Sequence, residues 1–455
     1  MASTYLSRTI SSDGNRKIMT FSAWIKRATA SATTTVFATG TGSERDMILF
    51  ESDGKLQFSR YNSGYNYILK TNRQFRDTNA WYHLMCVLDT TQGTESNRAK
   101  IYVNGVQETS LNTATYPSQD YQTNYNQNTF TQYLGQDSDG NFDFDGCMSH
   151  VHYVDGTAYT PSTFGSTDAD TGEWSINTSP SVTYGTNGFF LLKDDNAVTD
   201  RSGQGNNFTV GAGTLTKTED NPSNVFATLN PLFLAGGGTT TFSNGNTTGQ
   251  SPTLQGCAGT STIGVSSGKY YAEFKQVTET SSGEGAIGIC DTYYISNNSS
   301  LGGSSSPGYI EYSVSCFGYR NNNGDQFYSS SGSKYTSSNN HAGWSNGDII
   351  MVALDMDNNR VYLGKNGSWN ASNTWSSATP SQYITIDSTG FEGNYHFAIG
   401  DSSGGNSVTW NANFGNGYFG TTQISSEGTN ASGIGKFEYD VPTGYTALST
   451  KGLNL

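Results

Sequence analysis

The sequence Phe21-Ser22-Ala23-Trp24-Ile25 places Phe21, Ala23 and Ile25 at alternate positions. Successive side chains of a β-strand point to opposite faces, so these three share one face. The stretch therefore predicts a half-buried strand of an antiparallel sheet. Patterns of period two recur along the chain. Residues 349–354 are instead apolar at every position, as expected of a central strand that is covered on both faces.

Two Asn-Gly dipeptides mark tight turns between such strands. Asn104-Gly105 follows the alternating residues 99–103, and Asn366-Gly367 follows residues 361–363. An Asn-Gly pair readily adopts the two positive φ angles of a two-residue hairpin. No stretch shows a sustained period of about 3.6 residues, so the sequence predicts an all-β protein.

The composition indicates the same class. Only 14% of the 455 residues are charged, and the chain contains 54 Gly, 28 Tyr and 23 Phe. Residues that favour turns and strands dominate, which excludes helical bundles and doubly wound sheets. A chain of this length is expected to form two domains. The alternation breaks within residues 216–231, so we place the boundary near residue 218.

The net charge of −14 limits the classes of partner. An acidic surface repels phosphate backbones and anionic lipid, so we expect no nucleic-acid partner. No apolar run reaches the roughly 18 residues of a membrane span, and the N-terminus lacks the apolar core of a secretory signal. We therefore expect the protein to be made in the cytoplasm and not to insert into a membrane.

The number and spacing of the cysteines predict free thiols. The five are Cys86, Cys147, Cys257, Cys290 and Cys316. Their number is odd, and no two of them form a Cys-x-x-Cys pair. This spacing favours buried thiols on strands over a disulfide framework or a zinc site.

Five signatures follow one another in the first half of the chain. They are residues 21–25, Trp81-Tyr82-His83, residues 101–105, Tyr133-Leu134-Gly135 and Phe144-Asp145-Gly146. In that order they resemble the laminin G-like, concanavalin A-type jelly rolls, over residues 1–165. Residues 200–206 resemble a segment that often opens such domains. We therefore expect residues 184–215 to close the same sandwich, within a first domain at residues 1–218.

The second half carries six ordered signatures. They are residues 268–274, 286–289, 317–319, 344–348, 365–367 and 413–415. They resemble those of SPRY domains, which implies a second β-sandwich at residues 219–455. The fold class predicted for the whole chain is two antiparallel β-sandwich, or jelly-roll, domains in series.

The whole combination, with the opening Tyr5-Leu6-Ser7-Arg8 and the closing residues 441–448, is similar to virion proteins of bacteriophages, especially marine ones. The similarity implies a structural protein of the virion: a tail fibre, a head fibre or a surface decoration, made in the host cytoplasm. It also implies contacts with other virion proteins, attachment to a host-surface glycan, and no enzymatic activity. Because phage fibres are trimeric, we expect a homo-oligomer, with a trimer favoured.

Residues 137–145 form the densest cluster of oxygen-bearing side chains in the sequence. Asp137, Asp139 and Asp143 are candidate calcium ligands, because Ca²⁺ prefers several carboxylates and carbonyls on one loop. The spacing is not that of an EF-hand, since Gly140 comes too early and Met148 stands where the bidentate Glu would be. An Asp-Gly hairpin turn without a metal is the alternative.

Aromatic residues in polar loops are the candidate carbohydrate-binding residues. Sugar rings stack their apolar faces on Tyr and Trp, while neighbouring polar groups bind the hydroxyls. The candidates are Tyr61, Tyr65, Tyr67, Tyr121, Tyr125, Trp369 and Trp375. The alternative is that these rings pack within a sandwich or against another subunit.

Two other functions are compatible with these folds. Concanavalin A-type sandwiches include glucanases, whose two carboxylates face one cleft. Glu44 and Asp46 would share a strand face and Glu51 would point away, so this triplet does not form that site. Carboxylates that only the fold brings together leave a glycoside hydrolase as an alternative. The other alternative is a cellular adhesin or a SPRY interaction module that binds a peptide.

Overall fold

The computed structural model describes residues 4–193, 197–232, 240–251, 259–279, 285–292, 310, 315–321, 324–330, 333–337, 340–387, 389, 392–401 and 407–454. The chain forms two compact units, residues 1–217 with 221–223, and residues 218–220 with 224–455. Both are built from antiparallel sheets, which confirms the predicted all-β class. Within these ranges no helix has the length and apolar character needed to cross a bilayer.

The first unit contains strands β1 to β16. They are Tyr5–Thr9, Ile18–Arg27, Thr34–Thr41, Glu44–Phe50, Lys55–Asn62, Tyr65–Gln74, Trp81–Asp89, Ala99–Val103, Val106–Gln107, Leu111–Thr115, Thr131–Leu134, Gly146–Asp155, Gly165–Thr167, Trp174–Ile176, Phe189–Leu191 and Thr209–Ala212. Two short 3₁₀ helices, Glu95–Asn97 and Pro161–Thr163, accompany them.

Two sheets of the first unit pack face to face. The larger sheet has eight strands in the order β10-β6-β5-β4-β3-β11-β1-β16, and the smaller has six in the order β15-β12-β2-β7-β8-β9. Residues 184–215 supply β15 to the smaller sheet and β16 to the larger one. The apolar core lies between the two sheets, and Phe37 and Phe189 meet within it at a centroid distance of 6.1 Å.

Strand β2 is buried on both faces. Phe21, Ala23 and Ile25 are 0% exposed and lie in the core, as their alternation predicts. The opposite face is also covered, since Trp24 is only 5% exposed. There Trp174 on β14 donates a hydrogen bond from Nε1 to His83 Nδ1 at 3.1 Å. The prediction of a half-buried strand was wrong, because the segment after β12 folds back over the smaller sheet.

The second unit contains strands β17 to β34. They are Thr241–Ser243, Thr248–Gln250, Gly259–Thr260, Lys269–Glu279, Gly285–Asp291, Cys316–Arg320, Asp325–Ser330, Ser333–Ser337, Ile349–Asp355, Arg360–Lys365, Ser368–Ala371, Thr374–Ser377, Tyr383–Thr385, Tyr395–Asp401, Val408–Asn413, Tyr418–Phe419, Thr422–Gln423 and Thr446–Ala447. A short 3₁₀ helix, Gly452–Asn454, follows them.

The second unit is also a pair of packed sheets. The larger sheet runs β17-β18-β31-β20-β25-β26-β27-β28, with β29 on β26 and β34 parallel to β20, and the smaller runs β19-β30-β21-β22-β23-β24. Residues 349–354 form the central strand β25, which is buried on both faces as predicted. Ile350 and Val352 face the core between the sheets, whereas Met351 and Ala353 face a second apolar cluster.

Both predicted hairpin turns are present. Asn104 and Gly105 have φ angles of 46° and 79°, and they connect β8 to β9. Asn366 and Gly367 have φ angles of 50° and 86°, and they connect β26 to β27. The local sequence alone therefore specifies these two turns.

The C-terminal segment packs on the outer face of the larger sheet in the second unit. Phe437 and Tyr445 of this segment pack in one apolar cluster with Tyr271, Met351 and Trp369 of the sheet. The rings of Tyr271 and Phe437 meet edge to face at 4.9 Å. A sheet face that would otherwise expose these apolar side chains is thereby buried.

Glu273 fixes this segment to the sheet. Its carboxylate accepts hydrogen bonds from the Tyr271 hydroxyl at 3.0 Å and from Asn413 Nδ2 at 3.2 Å. The backbone N–H groups of Glu438 and Tyr439 donate to it at 2.9 and 2.8 Å. Burial raises the pKa of Glu273 to about 7, and these donors limit the rise because they favour the ionised form.

The cysteine prediction was wrong for one pair. Cys290 and Cys316 form a disulfide between β21 and β22, where they lie opposite each other in register. They are 26 residues apart in sequence, so their spacing does not reveal the pairing. Cys86 is a buried thiol, as expected, and Cys147 is partly exposed. Cys257 lies outside the described residues.

We expect Glu273 to contribute stability to the second unit that is lost as the pH rises from about 5 to about 7. Glu273 has an ordinary pKa of 4.5 and a folded-state pKa of about 7, so the folded form keeps a proton that the unfolded chain has released. The effect is at most about 3 kcal/mol. In urea unfolding of the full chain, Glu273→Gln should flatten this pH dependence. The substitution should also lower the free energy of unfolding, because the amide NH₂ group that replaces one carboxylate oxygen would face hydrogen-bond donors.

Glu392→Gln is the matched control for this prediction, since Glu392 is an exposed acid of the same unit. This control should retain the pH dependence of the wild-type chain. The buried His341 and His396, whose pKa values burial lowers, make a contribution of opposite sign in all three proteins. A Glu273→Gln variant whose stability changes between pH 5 and pH 7 in the same way as that of the wild-type chain would therefore contradict the prediction.

Candidate functional site

Four side chains form a patch on the outer face of the larger sheet in the first unit: Arg45, Gln57, Tyr61 and Tyr65. We call it the aromatic patch. Arg45 on β4 lies opposite Tyr61 on β5, and Tyr61 lies opposite Tyr65 on β6. Gln57 shares the face of Tyr61 because the two are an even number of residues apart on β5. The sheet register therefore places a cation and two phenol rings side by side, and the Gln57 amide reaches them from four residues along β5, with its Nε2 3.4 Å from the Tyr65 hydroxyl.

A β-bulge in β6 separates two tyrosines that the sequence groups together. Arg60 pairs with Tyr67, whereas the next residue, Tyr61, pairs with Tyr65, so Asn66 is the extra residue. Tyr65 consequently faces outward and is 50% exposed, while Tyr67 faces the core and is 0% exposed. Tyr67 is therefore not part of a carbohydrate-binding surface, contrary to the sequence-based prediction.

The two outward rings rest on a small apolar cluster. Tyr61 packs against Ala38, Met47 and Leu49, which form a cluster separate from the main core. The rings of Tyr61 and Tyr65 meet edge to face at a centroid distance of 5.5 Å. This packing holds Tyr61 in place, and it leaves the Tyr65 ring open to solvent.

Two polar atoms beneath the patch have no partner. Gln57 Nε2 donates to Ser59 Oγ at 2.8 Å and to the Tyr65 hydroxyl at 3.4 Å, but Gln57 Oε1 is buried without a hydrogen bond. Arg45 Nε is buried and unpaired as well. Its guanidinium carbon lies 5.9 Å from the centre of the Tyr61 ring. Buried polar atoms are normally satisfied, so an unpaired donor and an unpaired acceptor in one patch call for an explanation.

The candidate calcium ligands are engaged with Arg45 and with their own loop. Arg45 Nη1 lies 3.3 Å from Asp137 Oδ2, and it also pairs with Asp139. Asp137 Oδ1 accepts backbone N–H bonds from Asp139 at 2.9 Å and Asn141 at 2.8 Å. Asp143 accepts a bond from Gln136. The described residues contain no group of three metal-ligating side chains, and a calcium site stays a prediction.

A buried ion pair lies on the opposite side of the same strands. Asp46 accepts hydrogen bonds from Arg60 Nη1 at 2.7 Å, the Tyr67 hydroxyl at 3.2 Å and the Asn124 backbone N–H at 2.7 Å. Burial raises the pKa of Asp46, and the nearby Arg60 guanidinium opposes that rise. Tyr121 is partly buried, and its hydroxyl accepts a bond from Arg60 Nε at 2.7 Å.

Three other candidate aromatic residues have structural roles. Tyr125 is 0% exposed and stacks on Phe37 in the core at 5.8 Å. Trp369 is 3% exposed and lies beneath the C-terminal segment. Trp375 is partly buried and packs on His341 at 5.3 Å. Tyr125 and Trp369, each predicted as a candidate carbohydrate-binding residue, are therefore not exposed to a sugar, because both rings are buried inside a sandwich.

Sequence reasoning missed Arg45 and Gln57. Tyr61 and Tyr65 flank the Ser63-Gly64 turn, and this local signal is enough to bring the two tyrosines together. Arg45 joins them only because β4 is the other neighbour of β5, which depends on strand order. The patch is thus partly local and partly a product of the topology.

Comparisons with known proteins agree with a lectin-like fold in the first unit. Residues 3–163 match the profile of a laminin G family described as the concanavalin A-like lectin/glucanases superfamily. The match lies within the predicted residues 1–165 and confirms the concanavalin A-like jelly roll there. This fold is compatible with glycan binding or protein binding. The comparison with curated proteins finds no match.

Among solved structures, the SPRY domain of human HERC1 is similar, with 16% identity, a TM-score of 0.30, and coverage of 40% of this chain and 96% of that one. A putative carbohydrate-binding protein from Bacteroides ovatus has 16% identity, a TM-score of 0.32 and coverage of 47% and 59%. The LG1-3 region of the laminin alpha2 chain has 12% identity, a TM-score of 0.33 and coverage of 90% and 60%. At these TM-scores the likenesses establish no shared function.

We expect millimolar Ca²⁺ to leave the Tm of the wild-type chain unchanged, because Arg45 already supplies the positive charge opposite Asp137 and Asp139. Arg45→Met should lower the free energy of unfolding by about 2 kcal/mol, since it breaks charge-assisted hydrogen bonds. Ca²⁺ should then raise the Tm of this variant by binding the released carboxylates. Differential scanning calorimetry with Ca²⁺ or EGTA measures both effects.

The control for calcium binding is the double variant Asp137→Ala with Asp139→Ala, made with and without Arg45→Met. It should show no response to Ca²⁺ in either background. A rise in the Tm of the wild-type chain that this double variant abolishes would contradict the expectation, and it would establish calcium as a native ligand.

Proposed function

We propose that the chain is a non-enzymatic structural protein of a bacteriophage particle that attaches to a glycan of the host surface through the aromatic patch. A tail fibre, a head fibre or a surface decoration fits this role. The observation that carries the glycan assignment is one juxtaposition. An outward-facing aromatic pair, the exposed Tyr65 and the partly buried Tyr61, lies beside a buried acceptor, Gln57 Oε1, and a buried donor, Arg45 Nε, that have no partners.

The chemistry of the patch suits a sugar ring. A pyranose has apolar C–H faces and a rim of hydroxyl groups. The edge-to-face arrangement of Tyr61 and Tyr65 supports a ring that stacks on one phenol and touches the other. Gln57 and Arg45 offer hydrogen bonds to the hydroxyl rim. Aromatic walls with a few placed polar groups are the common composition of small-ligand sites.

The placement of the nearby carboxylates supports binding without turnover. A glycoside hydrolase needs two carboxyl groups that flank the scissile bond. Asp46 is 0% exposed and faces the core, away from the aromatic patch. Glu44 lies 3.4 Å from Arg60, and Glu51 pairs with Lys70. Each of these acids is committed to a cation within its own sheet.

The virion assignment is supported by the resemblance of the two-sandwich combination to phage proteins. A homotrimer would present three copies of the aromatic patch, held in place by other virion proteins. One stacking contact contributes only about 1 kcal/mol, so useful attachment depends on the effective concentration across copies. Weak sites on a repeated subunit are thus consistent with adhesion of a particle to a cell.

Replacing both outward rings should weaken glycan binding. We expect Tyr61→Ala combined with Tyr65→Ala to weaken binding on a glycan array by at least about fivefold, because each stacking contact contributes about 0.5–1.5 kcal/mol. Tyr65 is 50% exposed, so its removal should have little effect on folding. Gln57→Leu should also weaken binding, because it removes the buried acceptor.

The matched control is Tyr383→Ala, since Tyr383 is a 40% exposed tyrosine of the second unit. It should bind the array like the wild-type chain. Equal binding by the double variant and the wild-type chain would rule out the aromatic patch as the site. Release of reducing ends from a bound polysaccharide would contradict the non-enzymatic assignment.

Mass spectrometry of particles purified from a phage that encodes this chain should detect it as a virion component. Light scattering of the isolated protein should give a mass near three times the 48.9 kDa of one chain. Absence of the protein from purified particles would contradict the virion assignment. A mass of one chain at micromolar concentration would contradict self-assembly into a trimer.

A further inference from the structure

The segment after β12 covers the outer face of the smaller sheet in the first unit. We call residues 157–184 the strap. Its two strands, β13 and β14, pair with each other and with no other described strand. The ends of the strap are bonded to the sheet, since Thr20 Oγ1 donates to the Thr157 carbonyl at 2.8 Å and the Asp155 N–H donates to the Tyr184 carbonyl at 2.9 Å. Side chains, and not a strand ladder, therefore hold the middle of the strap on the sheet.

Trp174 fastens the middle of the strap. Its Nε1 donates to His83 Nδ1 at 3.1 Å, and among the described residues this is the hydrogen bond that joins residues 160–183 to the sheet. A Cβ atom at Gly105 would collide with the Trp174 ring, and one at Gly165 would lie 2.7 Å from it. The His83 ring stacks on the same indole at a centroid distance of 5.9 Å. Two glycines and one imidazole thus form a slot for this side chain.

The hydrogen bond from Trp174 fixes the protonation of His83. An indole N–H only donates, so Nδ1 of His83 is the unprotonated nitrogen, and Nε2 carries the proton and donates to Ser22 Oγ at 2.8 Å. A second proton would sit on Nδ1, where two N–H groups would then face each other. It would also place a charge on a ring that is 0% exposed. The closed strap therefore requires a neutral His83.

A second histidine lies under the strap. His152 on β12 is 2% exposed and stacks on Phe190 at 3.9 Å, and its Nδ1 lies 2.8 Å from the Tyr184 hydroxyl oxygen. Burial lowers the pKa of His83 to about 3. Burial also holds the pKa of His152 well below its ordinary value, and the nearby His150, His83 and Lys193 lower it further. Both rings are thus neutral in the closed form.

The other ionisable groups of this layer come from the sheet and from the strap. On the outer face of the sheet they are Lys26 on β2, Lys100 and Tyr102 on β8, His150 on β12, and Lys193 after β15. The strap supplies Tyr159, Tyr184 and the exposed carboxylates Asp168, Asp170 and Glu173, and Asp200 lies near Tyr184. Asp168 accepts bonds from Asp170 and Thr171 within its own turn.

We propose that the strap is an acid-sensitive cover, which lifts when His83 and His152 are protonated and uncovers the apolar side chains of Met85, Val87 and Phe190 on the sheet. In the open form each ring titrates near its ordinary pKa of 6.5. Opening is therefore linked to proton uptake, and its equilibrium constant rises by up to about tenfold per histidine for each pH unit below 6.5. The strap and the aromatic patch lie on different sheets, and the inference does not depend on the function proposed for that patch.

Hydrogen–deuterium exchange of the full chain at pH 7 and pH 5 tests the proposal, with rates corrected for the intrinsic effect of pH. Amides of the strap should exchange at least about tenfold faster at pH 5 than at pH 7. Amides of β3 and β4, in the larger sheet of the same unit, should keep their rates. Trp174→Phe keeps a ring in the slot and loses the N–H donor, so it should speed exchange of the strap at pH 7.

The double variant His83→Gln with His152→Gln should remove the acceleration at pH 5, because an amide side chain takes up no proton in this range. The matched control is His396→Gln, a buried histidine of the second unit, which should retain the acceleration in the strap. The proposal is overturned if the strap of the wild-type chain exchanges no faster at pH 5. It is equally overturned if the double variant keeps the acceleration, or if β3 and β4 accelerate as much as the strap.

Discussion

Burial of apolar surface on both faces of a sheet is the constraint on which this structure depends. Within each unit, the larger and the smaller sheet bury one face of each other. A further segment covers the outer face of one sheet in each unit. In the first unit, the residues around Trp174 and Phe164 cover the smaller sheet. In the second unit, the C-terminal segment covers the larger sheet. At the aromatic patch the Tyr65 ring is left 50% exposed.

The strands and tight turns could be predicted from sequence because their signals are local. Alternation identified Phe21, Ala23 and Ile25 as core residues, and the Asn-Gly pairs identified two hairpins. The direction of each tyrosine in the candidate site could not be predicted in this way. Tyr65 and Tyr67 are two residues apart and should share a face, but the bulge at Asn66 sends them to opposite faces. A bulge is stabilised by the register of the neighbouring strands, so neither the composition nor the hydrophobic period of the sequence predicts it.

Contacts between distant residues were the other limit. Glu273 is bonded to a backbone amide 165 residues further along the chain, and the Cys290–Cys316 pair depends on the register of β21 and β22. Neither can be deduced from spacing, since both require the strand order. Sequence patterns thus identify the elements, and topology decides which side chains meet.

The Cys290–Cys316 disulfide makes the covalent state of the second unit depend on its surroundings. Cytosolic reductants keep cysteines as thiols, whereas extracellular conditions allow them to be oxidised. A chain made in a cytoplasm and carried out of the cell on a particle would therefore leave its host reduced and gain this link afterwards. Because both sulfur atoms belong to residues that are 0% exposed, oxidation would be slow. The ratio of thiol to disulfide in a population of particles would then record the time since their release.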